Sequence, residues 1–369
     1  MAYKPPHARA HRVYKPGKRH MELMPSLSRS SGLDKDGDAL RDRAVQEEYR
    51  AFIEGKVNEH WKRHPHGASG RDVDATKHRQ EEQENILILF RKLREGLLAT
   101  DRKDAFAVEV YETSLHLSIL FRSDKQTTSI LSHLLPHLYL ARPEVPEFTH
   151  GALSTTLLSL FHHLLLGYPS QTRFHEHLHS LPRTFLPRDG AAYRWLAHLT
   201  HCLRTSNYAK LQELTDRGAF ERFFEASTEA SGGRGAPVRT GDHSDKPEGA
   251  RQRAGPYNLA LEAMYTLVEG VRAKARATVW LIMRSAYREL HCLPPPVNSS
   301  KTGAEEPSPT SEWLARSLAL HSLGSTAADV NEMMQMVDEW LAQKCDQGEV
   351  KRKEGAEGRW IVCKVAVKV

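Results

Sequence analysis

The sequence predicts an all-α protein: an irregular antiparallel helical stack, α-solenoid-like, followed by a C-terminal winged helix with a small β-hairpin. Three observations predict it. Across residues 77–226, apolar residues recur at spacings of three and four in segment after segment. The connections between these segments are short and carry Gly, Pro or Asp, as between antiparallel helix neighbours. Near the C-terminus, "GEVKRKEGAEGRWIVCKV" (348–365) alternates, turns through "EGAEG" and alternates again, directly after the helically spaced "STAADVNEMMQMVDEWLAQKC".

The chain opens with a basic arm, residues 1–37, too poor in apolar residues to fold. Lys4, Arg9, Arg12, Lys15, Lys18 and Arg19, with no acid among residues 1–20, account for the whole net charge of +6. The rest of the chain is therefore neutral. The arm reads as a solvated tail, a contact for RNA or an acidic partner, or a nuclear import signal. Residues 38–76 form a charged, solvent-exposed helix and a loop ("PHGASGRD"). In the stack at 77–226, Ile86, Leu89, Phe90, Leu93 and Leu97 make one apolar stripe, and Phe106, Val110, Thr113, Leu117 and Leu120 the next. Residues 227–256 hold one large aliphatic, Val238, and read as a disordered insertion.

Linking helices occupy 257–292, with a stripe of Leu261, Met264, Val268, Val271, Ala275, Val279, Ile282, Ala286 and Leu290. Gly270 is expected to break them into two, since an interior Gly costs about 1 kcal/mol against Ala. A flexible Pro-rich loop spans 293–310, and the winged helix spans 311–369. In its long helix Val330, Met334, Val337 and Leu341 form the buried stripe, and Thr326 with Asp329 makes a capping box.

Composition excludes several functions. Cys202, Cys292, Cys345 and Cys363 have spacings that fit neither a zinc site nor a disulfide framework, which points to a reducing, intracellular setting; nucleus and cytoplasm are the expected location. No apolar run is long enough to span a membrane. There is no phosphate-binding glycine loop and no nucleophile elbow. Asp34, Asp36 and Asp38 imitate a calcium loop, but Ala39 and Val45 stand where Gly and Glu are required. His175 and His179 share a helix face at metal-ligand spacing while His177 points elsewhere. No third ligand is evident, and with 21 histidines clustering by chance is expected. We therefore expect no enzyme activity, no cofactor, no metal and no small-molecule substrate.

A DNA-reading winged helix needs a cationic recognition helix. Here that helix carries Asp329, Glu332, Asp338 and Glu339 against Lys344. The hairpin instead reads as an edge for packing against a neighbouring subunit, through Glu349, Val350, Arg352, Trp360 and Val362, with Trp360 outward as the expected hot spot. "RAKARATVWLIMRSAYREL" carries Arg272, Lys274, Arg276, Arg284 and Arg288 with Trp280 and Tyr287 interleaved. It reads as a buried stripe with a solvated charged face, or as an RNA-binding face through Arg272 and Arg276.

A helical stack with a C-terminal winged helix resembles the PCI-type domains of the proteasome lid, the COP-nine signalosome and translation initiation factor three. "FAVEVYETSLHLSILFRSDKQTTSILSHLLPHLY" (106–139) is similar to a helix pair of the Sac-three/GANP branch. "FHEHLHSLP…YRWLAHLTHCLRTSNYAKLQEL" and "LVEGVRAKARATVWLIMRSAYREL" are similar to helices of the branch of proteasome regulatory subunit 8, signalosome subunit 8 and initiation factor three subunit k. The resemblance covers roughly residues 85–365, interrupted by the two loops. It implies a non-catalytic scaffold subunit that assembles with other PCI-type subunits through its winged helix. The Sac-three/GANP likeness implies the alternative, an RNA-associated adaptor in mRNA export or splicing, using the arm and the basic helix.

Overall fold

The structure, a computed structural model, describes residues 18–26, 39–65, 73–140, 146–224, 258–292, 309–321, 323 and 330–364. Within them the chain is mostly helical, with one small three-stranded antiparallel sheet. Lys4, Arg9, Arg12, Lys15, Thr326 and Asp329 lie outside the described residues, as does the 227–256 insertion; the side chains of Lys18, Arg19 and Val330 do too. The chain divides into two compact units, residues 1–142 and 143–369, and the 77–226 stack contributes to both.

In the first unit α1 (Lys18–Leu23), α2 (Arg43–Arg63), α3 (Val73–Ala99), α4 (Ala105–Leu120) and α5 (Asp124–His133) follow one another, and α5 runs on into a π-helical segment, Leu134–Tyr139. Consecutive helices pack together. The caps are those the sequence supplies. Asp42 accepts from the Ala44 N–H at 2.8 Å and Asp104 from the Ala107 N–H at 3.0 Å, each satisfying a donor that the first helical turn leaves free. The α3 stripe is buried at every expected position, Ile86, Leu89, Phe90, Leu93 and Leu97. On α4 the expected stripe is too narrow. Val110 and Leu117 are buried, but so are Val108, Tyr111, Leu115 and Ile119, while Phe106, Thr113 and Leu120 are only half-buried. A helix between two neighbours, α3 and α5, buries more than one face.

In the second unit, α6 (Pro146–Gly167) packs chiefly on α11 (Leu259–Ala286), with α7 (Thr172–Ser180), α8 (Ala191–Arg204), α9 (Tyr208–Thr215) and α10 (Arg217–Phe220) between them in sequence. Phe161 stacks on Trp195 at 5.4 Å, and Trp195 in turn lies 5.8 Å from Phe220. α11 is one uninterrupted helix, which corrects the expected break at Gly270. The glycine serves close approach instead. A Cβ there would lie 3.0 Å from a Leu165 methyl on α6.

After α11 come β1 (Glu289–His291), α12 (Pro309–Ser317), α13 (Val330–Asp346), β2 (Val350–Arg352) and β3 (Arg359–Val362). The strands lie in the order β1-β3-β2, so the C-terminal hairpin is joined by a strand that follows α11 directly.

Candidate functional site

The C-terminal module is built on α11 by three arginines. Arg272, wholly buried, donates from Nη2 to the carbonyls of Ala319 at 3.0 Å and His321 at 2.6 Å. Arg276 donates to Leu318 O and Ala319 O, both at 2.9 Å. These carbonyls follow the end of α12, where the helix leaves acceptors without intrahelical partners and carries partial negative charge. Arg284 holds the far end of the chain, donating from Nε and Nη2 to Cys363 O at 3.0 and 2.9 Å and from Nη1 to Glu349 Oε1 at 2.8 Å. Glu349 also accepts from Trp280 Nε1 and from Lys344 Nζ, both at 2.9 Å. Burial opposes ionisation of Glu349, but the hydrogen bonds from Lys344 and Trp280 outweigh it and hold the carboxyl below its ordinary value. Trp280 meets Trp340 edge-on at 4.7 Å, joining α11 to α13.

Two sets of expected site residues are thereby corrected. Arg272 and Arg276 are internal staples and do not form an RNA-facing surface. Glu349 is an interior hub, and Val350, Trp360 and Val362 are 0%, 2% and 6% exposed, so the expected outward aromatic faces inward. The reason is register. Pairing of Leu290 with Trp360 and of Arg352 with Trp360 places Trp360 on the central strand, with its side chain on the covered face beside Leu290. The Arg352 guanidinium lies 4.8 Å from the Trp360 ring centroid. Arg352 is the exposed member of the expected five.

The outward face of the sheet is a different set. Ile361, 42% exposed, sits between Glu289 and Lys351 across the strands, with Arg359 and His291 paired beside them. Glu289 accepts from Lys353 and Arg359, at 3.2 and 3.3 Å. Tyr287 and Trp313, both exposed, meet edge-on at 5.3 Å. Leu281 and Ile282 add exposed apolar area on the last turns of α11, where the sequence stripe placed Ile282 inside. A cavity of about 480 Å³ opens beside the hairpin turn, between Asp338, Arg352 and the 353–360 segment. The turn uses Gly355 and Gly358 at φ +72° and +69°, a region that favours glycine. Sequence parity could not identify this face, because residues 360, 361 and 362 are all apolar.

A larger cavity, about 490 Å³, lies among α7, α8 and the segment joining them. Its walls hold His175, His179, His201, Arg183, Arg188 and Arg204, and no carboxylate lines it. His179 Nδ1 lies 2.6 Å from His175 O, so one of its ring nitrogens is engaged with its own helix backbone. His177 turns away from this cavity. Its Nε2 is 2.6 Å from Ser159 Oγ and its ring stacks on His163 at 4.2 Å. Ser159 is wholly buried and neither residue lines that cavity, so this hydroxyl–imidazole pair is a packing contact.

The chain matches no protein-family model, no curated protein and no solved structure. No described helix is long and apolar enough to cross a membrane.

Proposed function

We propose that the chain is a non-catalytic scaffold subunit of a multi-subunit assembly of PCI type. Its helices form an α-solenoid-like stack, and its C-terminal module is a winged helix that docks on partner subunits. The order helix–strand–helix–helix–strand–strand, with the first strand paired to the last, supports the winged helix. The observation that carries the reading is which side chains the module turns inward and which it leaves exposed. Arg272, Arg276 and Arg284 are held by internal carbonyls, whereas apolar Ile361, Tyr287 and Trp313 stand exposed on the module. Such exposed apolar residues suit a protein partner, since buried aromatic and aliphatic anchors supply most interface energy. Partners would be other PCI-type subunits, in nucleus and cytoplasm.

The test is affinity purification of N-terminally tagged protein from its native cell, with and without nuclease, followed by mass spectrometry. A nuclease-resistant set of partners is expected. Ile361→Asp and Trp313→Ala should each release them while helical content stays unchanged. Partner retention by both variants would refute the docking surface.

The α7–α8 cavity favours a second reading, the RNA-associated adaptor of mRNA export or splicing. Three arginines and three histidines without a carboxylate suit a phosphate backbone. Nuclease-sensitive partners, and RNA binding that falls steeply with salt and is lost in Arg183→Glu/Arg188→Glu, would establish it.

A further inference from the structure

We propose that the end of α2 and the first half of α3 form a zinc site whose protein ligands are His60, His64 and Glu82. Among the described residues these three bring their ligand atoms within 4.8 Å of one another. His60 lies in the last turn of α2 and His64 is the residue that caps its C-terminus, their ring centroids separated by 5.0 Å. Glu82 Oε2 lies 3.1 Å from His60 Nδ1 and 3.4 Å from His64 Nε2. Ligand atoms held at ~2.0–2.2 Å from a tetrahedral ion are themselves ~3.3 Å apart. Two of the three edges between ligand atoms already have that length. Two imidazoles and one carboxylate select zinc over calcium or magnesium, which take all-oxygen shells.

The surroundings support a built site. Glu82 divides its oxygens: Oε1 pairs with Arg63 and lies 3.8 Å from His78 Nε2, while Oε2 faces the two ligand histidines. The guanidinium therefore steadies the carboxylate and leaves the ligating oxygen to the metal. The other nitrogen of His60 lies 3.4 Å from Gln83 Nε2, and rotation of that amide presents an acceptor to the Nε2–H of a metal-bound imidazole. His60 is 2% exposed and walled by Trp61 and Phe121 at 5.1 and 5.5 Å, which limits water around it. A cavity of about 380 Å³, lined by His60 and Glu82 but not by His64, gives the ion access at two of its three ligands and room for a water as fourth ligand. The site would clasp two helices that are joined by residues outside those described.

The rival account is an interhelical ion-pair cluster with no metal. Equilibrium dialysis of the purified full-length chain against Zn²⁺ separates the two. We expect one tightly bound Zn²⁺ per chain, and at least ~10-fold weaker binding in His64→Ala and in Glu82→Gln, since even outer partners of a metal site are worth that much. His179→Ala, at the other pair with the same spacing, should bind as wild type. Absence of stoichiometric Zn²⁺, or wild-type affinity in both ligand variants, would overturn the proposal. Should a variant fail to fold, Co²⁺ substitution of the wild-type protein decides. Intense visible bands of tetrahedral cobalt with nitrogen ligands support the site, and the weak bands of octahedral cobalt refute it.

Discussion

Both units bury arginines, and Arg102 of the first and Arg272 of the second are satisfied in opposite ways. In the first, Arg102 is 7% exposed and lies 4.2 Å from the Phe106 ring centroid. Its partners are side chains: Asp104 at 2.7 Å, Glu47 at 2.9 Å and Gln46 at 3.0 Å. Burial disfavours its charge, but the hydrogen bonds to Glu47 and Asp104 prevail and raise its pKa. In the second, Arg272 meets backbone carbonyls beyond α12, burial dominates, and its pKa is drawn below the ordinary value. Two of its nitrogens, Nε and Nη1, have no hydrogen-bond partner among the described residues. Arg102 thus joins helices that already pack well, whereas Arg272 closes a helix end that α11 covers. A positive charge in the sequence therefore says little about an external anion until the carbonyls that need it have been counted.

Arg272→Ala should produce the largest effect, about 3 kcal/mol, since it takes charge-assisted hydrogen bonds from two carbonyls and leaves a cavity in their place. Hydrogen exchange should show protection lost first in α12 and the three strands. Arg102→Ala should cost about 2 kcal/mol, because Glu47 and Asp104 are partly solvated and keep water when the guanidinium leaves. Equal losses in the two variants, measured by urea denaturation, would break the comparison. Full recovery in Arg272→Met would show that side-chain volume, and not the hydrogen bonds, holds α12.

Two glycines sharpen the same contrast at lower energy. A Cβ on Gly96 of α3 would come 2.7 Å from the Leu40 carbonyl oxygen, which is backbone, whereas one on Gly270 would meet only Leu165 methyls at 3.0 and 3.1 Å. Backbone cannot step aside as a methyl can. Gly96→Ala should cost about 2 kcal/mol in thermal unfolding and Gly270→Ala under about 1, part of it offset by the better helix propensity of alanine.

What the sequence could reveal followed from how local each determinant is. The α3 stripe was legible because burial against one side needs only 3.6-residue spacing. The α11 stripe held from Leu261 to Val279 and then failed: Trp280, Met283 and Arg284 turn inward to meet α13 and the chain end, leaving Ile282 and Ala286 outside. β1 has three residues, too few for alternation to register, and its partner lies about seventy residues away. Without β1, nothing fixes whether Trp360 or Ile361 faces in. His60 and His64 carry the same spacing as His175 and His179, and only the packing of α2 on α3 supplies Glu82 to one pair. The candidate site was thus legible as a module and illegible as a surface.

An effect of similar size tests the interior of the second unit by pH. Desolvation, with the neighbouring His163 and His162, lowers His177 from its ordinary 6.5 to about 4. Above pH 6.5 the imidazole is neutral in both folded and unfolded chains and contributes no pH dependence. Between pH 6.5 and about 4 the unfolded chain binds a proton that the folded chain excludes, so stability falls as pH falls. Discounted for the partial solvation of His177, the loss at pH 5 is about 1 kcal/mol. His177→Gln keeps a hydrogen-bonding group for Ser159 and removes the titration. Its urea midpoint should therefore drop less than the wild type's between pH 7.5 and pH 5. A parallel drop in both would mean that the protonated ring is accommodated, and that the stack of His163 on His177 is looser than its 4.2 Å spacing implies.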